Sequence, residues 1–181
     1  MVEDQLLVAR VVASQDTRAF GELIQRHQSQ IRNFLRKLTR DEALADDLAQ
    51  DTFMHAWAKI TTYAGSGSFI GWLLKVAYTT FLQSKRKSDR YQEILEQVND
   101  TENPSQPKLV QSSEEISDLD KFLAVLNEQE RAIMILSYAC GLSHREISDA
   151  TELPAGTVKS LIFRAKDKIR DHFEIEHRQH G

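Results

Sequence analysis

The chain has 181 residues, is 41% hydrophobic and carries a net charge of −4, enough to fill the cores of one large or two small domains. Its single cysteine, Cys140, excludes an intrachain disulfide and a cysteine-rich zinc site, and fits a reducing cytoplasm. Its longest uncharged stretch, 60–74, is broken by Gly65, Ser66, Gly67, Ser68 and Gly71, which excludes a membrane span.

Glu3 and Asp4 stand where a secretory leader would be basic, so no leader is expected. With 7 Gly, 3 Pro and no alternating apolar runs, the expected fold class is all-α. Residues 3–13 form a short amphipathic opening helix. Asp16 caps the next, to about Leu38, whose apolar stripe is Phe20, Leu23, Ile24, Ile31, Phe34, Leu35 and Leu38. His27 lies on that stripe and is expected to pack there rather than to bind a ligand.

Asp41 caps a third helix, to about Ile60, with Ala45, Ala49, Phe53, Ala56, Trp57 and Ile60 on its core face. Roughly opposite lie Asp47, Gln50, Asp51 and Met54 at spacing 0, 3, 4, 7. A charged helix face is usually solvated surface, but a methionine rimmed by polar groups is common at protein interfaces. Periodicity leaves both open.

The loop 63–68 has two glycines and two serines between Tyr63 and Phe69. Its spacing is not that of a phosphate-binding loop, since no Gly-Lys-Ser/Thr follows. A polar loop beside aromatics, leading into a basic helix, can take an unstacked base; aromatics at helical spacing are also ordinary core. Phe69, Trp72, Leu73, Val76 and Ala77 continue as a helical stripe, ending in the basic run 85–90.

From Gln92 to Asp120 eight acidic residues face one base, Lys108, a balance of −7 that leaves the remainder at +3. Residues 99–113 hold Pro104, Pro107 and many Ser, Asn and Gln, so the stretch is expected to be a flexible acidic linker. The expected division is a first domain over 1–91, a linker over 92–115 and a second domain over 116–181. Overall acidity therefore does not exclude nucleic acid, but suggests weak binding without a partner.

Residues 141–170 carry two helix starts across a tight turn. Ser143 and Glu146 form a capping box for a short helix ending by Glu152, and 153–156 turn the chain. A second helix from Thr157 carries Lys159, Arg164, Lys166, Lys168 and Arg170. Such a pair presents a helix to the DNA major groove; an ordinary helical hairpin with a solvated charged face shares the pattern.

No catalytic constellation is present. The six histidines (27, 55, 144, 172, 177 and 180) have no metal-ligand spacing, and Cys140 is expected to be a structural thiol. No enzymatic activity, cofactor or metal is expected.

Taken together, the chain resembles the extracytoplasmic-function (ECF) sigma factors, the small two-domain class of the bacterial sigma-70 family. The resemblance rests on Ala19-Phe20 with Leu23, on residues 45–53 with Trp57, and on Phe69-Ile70-Gly71-Trp72-Leu73. It continues through residues 126–131, Gly141-Leu142-Ser143, Glu146-Ile147, and residues 154–160 with Arg164-Ala165.

The resemblance implies a sigma2-like helical bundle and a sigma4-like helix-turn-helix, acting in the cytoplasm. The implied partners are core RNA polymerase, promoter DNA and an anti-sigma factor. It implies that Asp47, Gln50, Asp51 and Met54 dock on the β′ clamp coiled coil, with the β flap as a further polymerase contact. Gly65, Ser66 and Ser68 would capture a flipped −10 base. Lys75, Tyr78, Thr79, Gln83 and Arg86 would form the −10 recognition and strand-opening surface. Lys159, Ser160, Phe163, Arg164 and Lys168 would serve the −35 reader, with Arg145 and Thr157 at phosphates. The acidic linker would thread toward the polymerase active-site and RNA-exit channels.

Thr79 stands where the family commonly has Asn, and Gln83 where Asp is common, so the −10 preference is expected to be the chain's own. Glu152 replaces a usual turn glycine and Thr151 a usual leucine, implying a looser turn. Leu161 replaces a frequent Arg, implying the loss of one groove or phosphate contact. An autonomous helix-turn-helix regulator, and an adaptor that binds a partner but no DNA, are the rival readings.

Overall fold

The computed structural model describes residues 2–63, 65, 67–98 and 118–179, and among these there are helices and no strands. The N-terminal group comprises α1 (Val2–Ser14), α2 (Thr17–Thr39), α3 (Glu42–Lys59) and α4 (Phe69–Val98), with a 3-10 turn at Ile60–Thr62. The C-terminal group comprises α5 (Asp118–Ala124), α6 (Glu128–Met134), a π-helical turn at Ile135–Ala139, α7 (His144–Thr151) and α8 (Ala155–Gln179).

Local chemistry sets the helix starts. The Asp16 carboxylate accepts from the amides of Arg18 and Ala19, both at 3.0 Å, and Arg10 grips its second oxygen at 2.6 Å. Asp41 does the same for α3 through the Leu44 amide at 2.9 Å. Arg40, in the left-handed region at φ 59°, reverses the chain between α2 and α3.

The expected stripe of α2 is the heart of the first group: Phe20, Leu23, Ile31, Phe34, Leu35 and Leu38 are buried, and Ile24 packs against them. Burying each such side chain contributes roughly 1.5–3 kcal/mol. Exposed ion pairs from this helix to α3, such as Arg36 to Glu42 at 2.7 Å, contribute about 0–1 kcal/mol each, so the apolar stripe decides the packing. His27 sits at the edge of this core, 3.1 Å from Asp4 of α1, with its ring against Phe69. His55 Nδ1 lies 3.0 Å from the Thr80 hydroxyl and ties α3 to α4.

Two boundaries differ from expectation. Nothing between Lys85 and Val98 is Gly or Pro, so α4 continues through the basic run to Val98, inside the segment expected to be linker. Residues 99–117 lie outside the described residues. The last helix begins at Ala155 rather than Thr157. The Pro154 carbonyl accepts from the Val158 amide at 3.0 Å, and proline suits a helix start, where its missing N–H costs nothing.

In the second group Asn127 and Glu130 form a capping box on α6, and Ser143 and Glu146 form the expected one on α7. The Arg131 guanidinium donates to the carbonyls of Leu123 and Leu126 and closes the turn before α6. Gly141, at φ 71°, lets the chain leave the π turn, as the Leu142 amide reaches back to the Leu136 carbonyl at 3.0 Å. Phe122 meets Phe173 edge to face, holding α5 on α8.

The two groups also pack on each other. α7 lies on α4, and α2 meets the π turn, so the buried side chains form one continuous cluster.

Candidate functional site

Three surfaces carry the residues singled out from the sequence. On α3, burial of Ala45, Ala49 and Ala56 turns Asp47, Gln50, Asp51 and Met54 outward, and all four are exposed. Among the described residues neither Asp47 nor Asp51 joins an ion pair, whereas the neighbouring Asp46 faces Arg32 and Arg36. Leu44, 40% exposed, extends this acidic face with a second apolar side chain beside Met54, 61% exposed. The sequence reading missed it, although its spacing of three from Asp47 marks the position.

The second surface is the 63–68 loop and α4. Gly65 and Gly67 have φ of 72° and 86°, a backbone that side-chain-bearing residues rarely adopt. Ser66 lies outside the described residues. The Tyr63 hydroxyl donates to the Gly67 carbonyl, and its ring packs against Phe69 and Trp72. Ser68 opens α4: its hydroxyl accepts from the Gly71 amide at 3.2 Å and donates to Glu146 of α7 at 2.9 Å.

Along α4, Gln83 and Arg86 are exposed, and Lys75 and Thr79 are half-buried. The Lys75 ammonium lies 3.2 Å from Glu152, and the Thr79 hydroxyl returns to the Lys75 carbonyl. Tyr78 corrects the sequence reading. One turn from Lys75, it is nevertheless 7% exposed and stacks on Phe81, and burial, with Glu128 of α6 nearby, raises its hydroxyl pKa.

The third surface is α8. Val158, Leu161, Ile162 and Ala165 are buried, which leaves Lys159, Ser160, Phe163 and Arg164 on one exposed face. Phe163 is 66% exposed, an unusual place for a large apolar ring. Arg145 on α7 is exposed, and Thr157 is half-buried in the first turn of α8.

Two expectations about this domain are corrected, and Lys168 has a partner within the fold. Lys168, exposed one turn beyond Arg164, holds its ammonium 2.7 and 2.8 Å from the two oxygens of Glu130, which is 3% exposed. Leu161 is a core side chain, so it does not mark a lost groove contact. The turn is closed rather than loose, because Glu152 itself adopts the left-handed conformation at φ 60°.

Among the described residues no group of three His, Cys, Asp or Glu could hold a metal, and no helix is long and apolar enough to cross a membrane. Burial pushes the Cys140 thiol up to about 11, far from the range of a reactive thiolate.

The family description Sigma-70 region 2 matches residues 23–91, and Sigma-70, region 4 matches residues 116–169. The ECF RNA polymerase sigma factor RpoE of Cereibacter sphaeroides is 31% identical over 159 residues, covering 87% of each chain. The RNA polymerase sigma-H factor of Pseudomonas aeruginosa is 29% identical over 180 residues, covering 92% of each. The structure is also similar to the sigma factor RpoE of Bartonella quintana, solved in complex with the anti-sigma factor NepR. There the TM-score is 0.70 at 26% identity, over 86% of this chain and 97% of that one. CnrH, solved with the cytosolic domain of CnrY, shares the fold at a TM-score of 0.69 and 22% identity, over 96% and 98% of the two chains.

Proposed function

Since the chain belongs to the ECF RNA polymerase sigma factors and directs polymerase to promoters, we propose the following division of labour among its surfaces. Residues 1–91 bind core polymerase and the −10 element, and residues 116–181 bind the −35 element. On α3, Asp47, Gln50, Asp51 and Met54, with Leu44, dock on the β′ clamp coiled coil. The exposed face of α8, Lys159, Ser160, Phe163 and Arg164, enters the −35 major groove, with Arg145 and Thr157 at the flanking phosphates. The 63–68 loop and the Lys75, Thr79, Gln83 and Arg86 side of α4 take the opened −10 strand. The β flap is a further polymerase contact, and an anti-sigma factor is a regulatory partner. The protein performs no chemistry of its own and acts in the cytoplasm, where polymerase and promoters are.

The observation that carries this reading is the α8 face. Two cations, a hydroxyl and an exposed aromatic ring lie together over a fully packed apolar back. A solvated hairpin face has no use for Phe163, whereas a groove-reading helix uses apolar contacts to thymine methyls and cations to guanine or phosphate. Melting stacked DNA costs about 1.4 kcal/mol per step, so strand capture draws on polymerase binding. That fits the exposed α3 face and the chain's net charge of −4.

The test is promoter opening from a DNA library, with and without core polymerase. Opening is expected only with polymerase. Asp47→Lys/Asp51→Lys should lose polymerase binding. Lys159→Glu/Arg164→Glu should keep polymerase but lose promoter selection by roughly tenfold or more, since each good base contact is worth about 1–3 kcal/mol. Tight duplex binding without polymerase, indifferent to the α3 variant, would favour an autonomous regulator.

A further inference from the structure

Tyr63 ties the 63–68 loop to the fold. Its hydroxyl donates to the Gly67 carbonyl at 3.1 Å, and Gly67 is held at φ 86°. Its ring rests on an aromatic platform, 5.6 Å from the Phe69 centroid and 5.8 Å from that of Trp72, which are themselves 5.5 Å apart. Phe69 is the middle of that platform and is 3% exposed.

A fourth ring stands behind the platform. His27 of α2 lies 5.5 Å from Phe69, centroid to centroid. Its Nε2 is 3.1 Å from Oδ2 of Asp4 on α1, and Arg26 donates to the other Asp4 oxygen at 3.3 Å. The His27 and Asp4 side chains are 13% and 17% exposed, so salt and solvent screen this contact less than the surface pairs around it. Asp4 also acts on the loop's anchor through space: burial first, and then the Asp4 charge, raise the Tyr63 hydroxyl pKa. α1 meets the 3-10 turn that leads into Tyr63.

The Asp4 contact is not needed to hold α1 in place. Leu7, Val8 and Val11 are buried and dock that helix on the core, and Glu3 gives it a second link to Arg26. Asp4 also lies outside residues 23–91, the part of the chain that matches Sigma-70 region 2. A loop that is already ordered binds more tightly, because association then costs it less conformational freedom. Side chains that touch no ligand supply this order when they lock the ones that do.

We propose that Asp4 and His27 are positioning residues for base capture. Asp4 fixes the His27 ring, His27 fixes Phe69, and Phe69 fixes the Tyr63 ring whose hydroxyl holds Gly67. The loop therefore meets an unstacked base of the opened strand with its backbone already in shape. The proposal rests on the assignment of this loop to the −10 strand.

The test uses holoenzyme assembled from core polymerase and the full chain. The probe is a fluorescent single-stranded oligonucleotide with the −10 sequence of a promoter recovered from the library, its binding followed by anisotropy. Asp4→Ala removes the acceptor and is expected to weaken binding about fivefold, and Tyr63→Phe, which removes only the hydroxyl, by a similar factor. Asp4→Asn keeps an acceptor oxygen for His27 and should bind within about twofold of the starting protein. Glu3→Ala breaks the neighbouring ion pair of α1 and should bind as the starting protein does. Because Asp4 and Tyr63 act on the same carbonyl, the double variant should lose about fivefold rather than the ~25-fold product of independent effects.

Unchanged oligonucleotide binding by Asp4→Ala overturns the proposal even where its melting temperature falls, because Asp4 then only staples α1 to α2. An equal loss in Glu3→Ala overturns it too, as does a double variant that loses the full product. Gly67→Ala, strained at this φ, separates the two readings. If it also leaves binding unchanged, the assignment of the loop to the −10 strand has failed, and the proposal with it. If it weakens binding while Asp4→Ala does not, the assignment stands and the positioning role alone is lost.

Discussion

Lys168 and Glu130 show how one buried acid can engage a cation that the sequence marks only as part of a basic helix. Glu130 is needed at the start of α6, where one oxygen accepts from the Asn127 amide at 3.1 Å. Its burial at 3% makes an unpaired charge there costly, and Lys168 supplies the partner from α8. Lys168 is itself 49% exposed, so solvent screens part of the gain. Lys168→Ala is expected to lower stability by about 1–2 kcal/mol, read from the urea midpoint, because it strips a buried carboxylate of a partner. Lys159→Ala on the exposed face should leave that midpoint unmoved. If Lys168→Ala unfolds like the starting protein yet loses promoter affinity, Lys168 is a DNA contact after all.

At the scale of an element, the α7–α8 turn carries stored strain. Glu152 is held at φ 60°, where a side-chain-bearing residue loses roughly 1–2 kcal/mol relative to the right-handed region. Glycine pays no such penalty and is the usual residue at this point after a helix. Glu152→Gly is therefore expected to raise stability by about 1 kcal/mol, allowing for the greater freedom it gives the unfolded chain, and differential denaturation measures it. A drop in stability would mean that the Lys75 pair outweighs the backbone strain. The helix-turn-helix thus closes without glycine, and its second helix begins at Ala155 because Pro154 is pre-set for that position.

For the whole molecule, Glu146 joins two elements that belong to different domains. Its carboxyl is held below its ordinary value of 4.5, chiefly by the Ser143 amide, against the opposing effect of burial, and further by the hydroxyls of Ser143 and Ser68. A lowered native value means that the ionised form stabilises the fold. That stability is complete above pH 4.5 and is lost as pH falls through the lowered native value. Asp16, held low by the Ala19 amide and then by Arg10, titrates in the same sense at the start of α2. The stability difference between the starting protein and Glu146→Gln is thus expected to shrink as pH falls from 7 to 3, followed by thermal melts at each pH. A difference that stays constant down to pH 3 would show that the ionised carboxylate contributes nothing.

The sequence by itself determined the all-helical class and the starts of α2, α3 and α7. Asp16, Asp41 and Ser143 cap the amides two or three residues ahead of them, an interaction that needs no distant partner. It determined the outward position of Asp47, Gln50, Asp51 and Met54 as well, because the alanines on the other side of α3 leave only one face to bury. The tertiary structure alone decided which candidate side chains are available. Tyr78 and Leu161 carry no local mark separating them from exposed neighbours; what buries them is the packing of other elements against α4 and α8. Likewise Ser68 and Glu146 are 78 residues apart, and their bond exists only because α7 lies across the start of α4. Capping and periodicity act over one or two turns of a helix, whereas burial and ion pairing depend on which surfaces meet, and that is a property of the folded whole.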